Sequence, residues 1–471
     1  MIEEEHIKKE VQTVLYTPPS SQYTFLEDAY TGGGGFKDGT YLMPHPRETP
    51  DKYIARKQMA YYLNYVKVVV NSLTEPIFRK PAVRDWGNRK QDTDLFSMFM
   101  LDVDGNNTSI EKFMKRVAHI AQLHAVAFIV VDNEPEQPAT RAQAIQTRSF
   151  PYMFVIKPQQ VTEWKVDKRG GITKFVYEVY SSSSSLGGAM DEKETWTWTP
   201  TEWSVRVGDR VTQSSHSLKQ VPIVPVFASE EDPNNLLPES EMYQIAKANL
   251  AIYNICSELR EVLRNQAFSI LTYPITGKIG AEEALELVVG TENVLPFDGE
   301  SKSPPSFISP PVDPVTQLQA ELKRLIEEIY RQASLLSVTG VQVQSSGVAK
   351  AWDFDQTNQV LSDLANSCER AEMKVAKLFE LWTTDTVDFV CNYPDDFGIV
   401  DIIAKLDEVT KALDLNIGGK FNVEVKRKAA EVILGDLPEE RFDAVIKDIE
   451  QMEEEHIQVA TIKADNVDDV I

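Results

Sequence analysis

Two long amphipathic helical patterns bracket a stretch so rich in proline and glycine that no helix can run through it, and this alternation constrains the fold most. From Glu239 to about Phe268, Met242, Ile245, Ala246, Ile252, Tyr253, Cys256, Leu259 and Leu263 fall on one stripe. At 1.5 Å per residue that predicts an element of roughly 45 Å. The insert from Leu271 to Pro314 contains Tyr273-Pro274, Gly277, Gly280, Gly290, Pro296, Gly299 and the doublets Pro304-Pro305 and Pro310-Pro311. Each proline removes a helical donor and clashes with the preceding turn, so the insert reads as a small non-helical excursion with one short helix at Ala281 to Val288. Helicity resumes at Pro314, a favoured first-turn position, and Leu318, Leu322, Leu325, Ile329 and Ala333 are spaced like one coiled-coil face.

The pattern then breaks from Ala333 to Val348, where Thr339-Gly340 and Ser345-Ser346-Gly347 leave a loop rich in Gln, Ser and Val. The longest helix follows, from Ala349 to about Trp382, with Phe354, Leu361, Leu364, Cys368, Ala371, Val375, Leu378 and Trp382 at near-helical spacing. Beyond Asp396 the chain is helical and acidic and reads as a separate terminal cap.

Upstream, residues 1 to about 50 hold a short acidic amphipathic stretch, then Thr31-Gly32-Gly33-Gly34-Gly35 and the turn-rich Pro44-His45-Pro46, which reads as an extended arm. Tyr53, Ile54, Met59, Tyr62, Leu63 and Val66 suit one helix from Asp51 to Leu73, ended by Pro76 and Pro81. A second helix begins at Ser109 after Asn107 or Thr108 as cap and leads into a buried strand, Ala127 to Val131. Between Pro151 and Ser229 the pattern is β: Tyr152–Ile156, Val161–Val166, Thr173–Tyr180, Glu194–Trp198 and Trp203–Val207 are short β-branched or aromatic runs. Ser181 to Gly188 reads as the tip of a long hairpin.

The chain has 471 residues, 42% of them hydrophobic, enough for more than one core. Its formal net charge is −24, so the basic footprint of a protein that grips phosphate backbones is absent. The acidic start lacks the basic stretch and apolar run of a secretory signal, and no apolar run reaches the ~20 residues that cross a bilayer. Neither export nor membrane insertion is expected. Cys256, Cys368 and Cys391 are widely separated, which predicts free thiols.

Motifs that would carry chemistry fail on inspection. No Gly-Lys-Ser/Thr follows the tetraglycine, so it is not a phosphate cradle. Asp102-Val103-Asp104-Gly105-Asn106-Asn107 resembles a calcium loop, but its glycine stands fourth where the sixth place is required. A capped turn is the simpler reading. His119 and His124 are five apart and so cannot face one metal from a helix. There is no nucleophile elbow, and Ser204 has no base. Trp196, Trp198 and Trp203 read as a packed or half-exposed sheet face, since few cations interleave them to make a stacking platform. No catalytic residue, cofactor or metal site is expected, which argues against an enzyme.

The order α/β region, long helix, compact tip, long helix, polar loop, longest helix and helical cap resembles that of portal (head–tail connector) proteins of tailed double-stranded DNA bacteriophages. The likeness is carried by Phe99-Met100-Leu101-Asp102-Val103-Asp104-Gly105, Phe128-Ile129-Val130-Val131-Asp132, Pro151-Tyr152, Val161-Thr162-Glu163-Trp164, Pro222-Ile223-Val224-Pro225-Val226, Ala251-Ile252-Tyr253, Ser257-Glu258 and Ser346-Gly347-Val348-Ala349, and it covers about 50 to 390. It implies an α+β chain: an N-terminal arm (1–50), a mixed α/β wing (51–236), a first stem helix (237–270), a clip (271–313), a second stem helix (314–335), a tunnel loop (336–349), a long wing helix (350–392) and a helical crown (393–471).

The resemblance further implies a homo-oligomeric ring, usually of twelve subunits, at one capsid vertex of the virion, assembled in the bacterial cytoplasm, through which DNA passes without sequence specificity. Terminase large subunit, a head–tail adaptor, and major capsid and scaffold proteins are its implied partners. The motor ATPase would reside in terminase, and this chain would be a structural protein without cofactors. Val341, Gln342, Val343, Gln344, Ser345, Ser346 and Lys350 would face DNA, touching phosphates transiently with little positive charge to hold them. Arg324, Glu327, Glu328 and Arg331 would line the channel or pair between subunits. Tyr273, Lys278, Glu282, Glu283, Phe297 and Asp298 would contact terminase and adaptor. The alternatives are another phage or cellular assembly component without a channel, or an acidic cytosolic enzyme with an unrecognised site.

Overall fold

The computed structural model describes residues 21–87, 94–133, 140–147, 149–181, 192–229, 234–266, 270–275, 294–298, 306–308, 313–335, 347–383, 385–394, 397, 409–413, 418–434, 441–442, 444–449 and 451. Helices and strands are mixed, and the chain divides after Phe397 into two compact units. In the second unit the helix α11 (Gly419–Leu434) holds the buried Ala430.

The first unit is organised around strand β2 (Val126–Asp132), the centre of a three-stranded antiparallel sheet with β3 (Tyr152–Ile156) and β9 (Ile223–Phe227). Both faces of β2 are covered, which is why residues 126–131 are continuously apolar and fully buried. Ala127, Ile129 and Val131 point to a core shared with α5 (Leu95–Leu101), α6 (Ile110–His124) and the 37-residue helix α10 (Gly347–Thr383). Val126, Phe128 and Val130 point the other way, to a core closed by a five-stranded antiparallel meander: β4 (Val161–Val166), β5 (Ile172–Ser181), β6 (Glu192–Trp198), β7 (Glu202–Val207) and β8 (Arg210–Ser215). Trp198 is fully buried there, with Trp196 and Trp203 half-buried beside it.

β5 and β6 pair out to Ser181 and Glu192, as a hairpin requires; its tip, with most of Ser181 to Gly188, lies outside the described residues. β8 was not legible in the sequence because all six of its residues are exposed, leaving no apolar alternation to read. The pair β1 (Val83–Asp85) and β13 (Val390–Asn392) was also unread, since both are three-residue strands made by pairing far along the chain.

A third core is helical and changes the expectation for residues 1 to 50. Far from an extended arm, residues 22–42 hold α1 (Gln22–Thr31) and α2 (Gly34–Asp38), which bury Phe25, Leu26, Phe36 and Leu42 against α8 (Met242–Gln266). The tetraglycine makes the corner between them. Gly34 lies at φ +46°, and a Cβ there would overlap the Asp28 carboxylate, so glycine is favoured. Residues 1–20 lie outside the described residues.

The single helix expected from Asp51 to Leu73 is two, α3 (Pro50–Met59) and α4 (Tyr65–Ser72). Asn64 starts the second: its side chain accepts from the Lys67 N–H at 2.8 Å. The link between the two helices is held by tertiary bonds, Tyr62 Oη donating to the Ala29 carbonyl at 2.9 Å and the Asn64 amide to the Tyr30 carbonyl at 2.8 Å, and Ile54 and Leu63 of the expected stripe are exposed. Asp102 to Asn107 is a turn, as expected, with Asp102 Oδ1 accepting from the Asn107 N–H at 2.8 Å and Asp104 Oδ1 from the Asn106 N–H at 3.0 Å. Ser109 itself occupies the cap of α6, one position beyond the expected residues.

Candidate functional site

Helices α8 and α9 (Asp313–Gln332) leave the helical core, carry a small sheet between them and return, so they run antiparallel. At 1.5 Å per residue, the 25 residues of α8 span about 37 Å. Its predicted stripe is buried at Met242, Ile245, Ala246, Ile252, Tyr253 and Cys256, but Leu263 towards the far end is 44% exposed. The base is therefore fixed, while towards the tip end Leu263 is not covered by the described residues.

Two polar contacts anchor that base. Asn249, fully buried in the middle of α8, accepts from Tyr62 Oη at 2.9 Å and from the Tyr65 and Val66 N–H groups at 3.0 and 3.3 Å, and donates to the Leu63 carbonyl at 2.8 Å. One side chain thus satisfies the orphan donors at the start of α4 from another helix. Arg56, buried on α3, makes a two-pronged pair with Glu48 (2.8 and 2.7 Å) and donates to the Met43 carbonyl at 2.7 Å and to Ser257 of α8 at 3.3 Å.

On α9, Leu318, Leu322 and Leu325 are half-buried, while Ile329 and Ala333 enter the core. The expected mixed-sign face is paired along the helix itself: Arg324 to Glu321 (2.7 Å), Arg331 to Glu328 (2.6 Å) and Lys323 to Glu327 (3.8 Å). Arg331 and then Gln332 hold the Glu328 carboxyl down at about 2. The helix ends where Ser334 adopts φ +55° and the Leu335 N–H returns to the Tyr330 carbonyl at 2.9 Å, closing a left-handed cap without glycine.

Between the helices lies a three-stranded sheet in the order β11 (Val294–Asp298), β10 (Ile270–Ile275), β12 (Ser306–Ile308). β10 pairs in parallel with β11 and antiparallel with β12. The register sets Tyr273 opposite Pro296 and places Phe297 and Asp298 opposite Pro274 and Ile275, so these three named residues share one small sheet. Lys278, Glu282 and Glu283, and the short helix expected at Ala281 to Val288, lie outside the described residues.

After Leu335, which is fully buried, the chain passes through 336–346 into α10. Val341, Gln342, Val343, Gln344, Ser345 and Ser346 lie outside the described residues; Lys350 belongs to the first turn of α10. Thr357 donates its hydroxyl proton to the Ser334 carbonyl, tying α10 to the end of α9.

In fold, solved structures offer several likenesses at low identity. The chain is similar to a chain of the neck of an empty gene transfer agent particle, 12% identical, covering 91% of this chain and 94% of that one, with a TM-score of 0.41. It is also similar to a chain of a native gene transfer agent virion (12%, 86% and 99%, TM-score 0.40). A third is an HK97-family phage portal protein from Corynebacterium diphtheriae (10%, 73% and 93%, TM-score 0.34). No family model and no curated protein matches the chain.

The anchor of α10 was not foreseen either. Glu372, 2% exposed, receives Arg84 through two bonds of 2.7 and 2.8 Å, together with Tyr393 Oη at 2.6 Å and Cys391 Sγ at 3.3 Å. Its one signal in the sequence is a carboxylate beside Ala371 inside an apolar stripe. Burial pushes the Cys368 and Cys391 thiols, and the Tyr393 phenol, well above their ordinary values, so these thiols are poor nucleophiles. All three cysteines are free and buried. Among the described residues, no three His, Cys, Asp or Glu side chains converge on one point that could hold a metal, and no helix is long and apolar enough to cross a membrane.

Proposed function

We propose that the chain is the portal subunit of a tailed double-stranded DNA phage or phage-like particle. The observation that carries this reading is the α8–sheet–α9 hairpin: a helix pair rooted in a core at one end, bearing a small sheet at the other, and followed after residues 336–346 by a 37-residue helix. That succession matches the stem, clip, stem, tunnel loop and wing helix implied by the sequence resemblance.

In this reading about twelve copies close into a ring by heterologous contacts. The incomplete cover of α8 near Leu263 fits a neighbouring subunit there. The sheet carrying Tyr273, Phe297 and Asp298 docks terminase and then an adaptor, and the 336–346 segment meets DNA. Because Arg324 and Arg331 already bond carboxylates on their own helix, they offer phosphates little net attraction, which suits a conduit that must release its cargo. The role is structural, at a capsid vertex.

Negative-stain electron microscopy of the purified protein tests this directly. End-on rings of about twelve units around a channel wide enough for duplex DNA are expected. A monodisperse monomer or dimer across salt and protein concentrations would overturn the reading.

A further inference from the structure

A cleft of about 490 Å³ lies where the β4–β5 turn, the segment before β9 and α10 come together. Its floor is apolar, made by Val221, Ile223, Phe227 and Leu236. Three exposed cations stand around it on three separate elements: Arg169 on the turn, Lys219 before β9 and Lys374 on α10. Lys219 is held at φ +58°, a conformation lysine seldom adopts.

The charge pattern runs against the rest of the surface. Carboxylates outnumber cations 72 to 48 in this chain, and three lysines on or beside the neighbouring strands are paired: Lys157 with Glu27, Lys174 with Glu163, Lys193 with Glu178. Among the described residues, Arg169, Lys219 and Lys374 make no ion pair. Among the described residues the one acid that lines the cleft is Asp167, which caps its own turn, its Oδ1 accepting from the Arg169 and Gly171 N–H groups at 2.7 and 2.8 Å, and whose charge also attracts that of Arg169.

We propose that this cleft binds an acidic peptide segment of a partner protein, with carboxylates meeting Arg169, Lys219 and Lys374 and an apolar side chain seated on the floor. Cations spread over three elements suit carboxylates spaced along a chain. Nucleic acid is disfavoured because, among the described residues, the one aromatic ring that lines the cleft, Phe227, is 3% exposed and offers no face for base stacking, while the net charge of −24 repels a polyanion at long range. Addition of a strand to β9 is disfavoured too. The bonds Val131 N–H to Pro222 and Ala228 N–H to Ala125 set the alternation so that Pro225 falls on the free edge, where it supplies no donor. The proposal does not rest on the portal reading.

Fluorescence anisotropy of the full chain tests it, using a labelled Asp-Glu-Leu-Glu-Asp peptide, its Asn-Gln-Leu-Gln-Asn counterpart and a labelled single-stranded oligonucleotide. The acidic peptide is expected to bind at low salt and weaken at high salt, while the neutral one does not bind. K219E/K374E should weaken the acidic peptide about tenfold or more with an unchanged unfolding midpoint. No binding to the wild-type chain, or equal binding to the variant, overturns the proposal. So does oligonucleotide binding that is tighter than the peptide's and lost in K219E/K374E. Ring formation, scored separately by microscopy, reports on the portal reading alone.

Discussion

Arg84 and Glu372 lie 288 positions apart, yet meet through two near-parallel N–H···O bonds of 2.7 and 2.8 Å in a site where their side chains are 9% and 1% exposed. This pair, with Tyr393 and Cys391, joins the β1–β13 ribbon to the middle of α10. Removing one partner strands the other charge in the interior, so Glu372→Leu or Arg84→Met should each cost about 3 to 5 kcal/mol. The double replacement Arg84→Met with Glu372→Leu should cost much less than the sum. Urea unfolding of the four proteins measures the coupling, and simple additivity would contradict it.

Asn249 should be nearly as sensitive although it carries no charge. Asn249→Leu takes the acceptor from the Val66 N–H and leaves the Tyr65 N–H and the Leu63 carbonyl with their mutual 3.1 Å bond, a loss of about 1 to 3 kcal/mol. Asn249→Asp keeps the acceptor and should lose less. Denaturant midpoints, with hydrogen exchange at Tyr65 and Val66 as local readout, check this.

Acidification should destabilise the first unit in two stages through Glu27 and His124. His124 is fully buried, and burial lowers its pKa below 6.5 even though its Nε2 lies 3.2 Å from Glu27 Oε2. We read it as neutral, with Lys157 (2.8 Å) supplying the charge beside the carboxylate. The unfolded chain therefore binds a proton at His124 more readily than the native one, and stability falls as pH drops below about 6.5. Glu27 is held at about 2, foremost by its bond to His124 and also by Lys157, so its contribution is present above 4.5 and fades between there and 2. Melting temperature against pH should show both stages, and Glu27→Gln should remove the lower one.

Thr357→Val should loosen the junction of α9 and α10 by about 1 to 2 kcal/mol by leaving the Ser334 carbonyl without its donor. Proteolysis between 336 and 346 should quicken more than unfolding of the whole chain. Equal changes in the two rates would mean that Thr357 supports the core generally.

Much of the plan was legible because burial imposes a period. Alternation marked β3 to β7, a continuous apolar run marked β2, and helical stripes marked α8, α9 and α10. The described parts of the insert between α8 and α9 are strands and not helix, in keeping with its prolines and glycines, but a mixed three-stranded sheet was not readable, because parallel pairing of β10 with β11 is a tertiary choice. Residues 21–50 were misread as an arm because α2 is only five residues long and cannot reveal an apolar face.

The candidate site divides in the same way. Local order along the chain determined, from sequence alone, that two long helices flank a stretch rich in proline and glycine and that the longest helix follows the second of them. Only the folded chain decided that Asn249, Arg56 and Glu372 are its anchors, and that Arg169, Lys219 and Lys374 surround one cleft. The physical reason is range: helical and strand periodicities act over a few residues, whereas a buried hydrogen bond or ion pair joins groups hundreds of positions apart and leaves at most a single out-of-pattern residue as its trace.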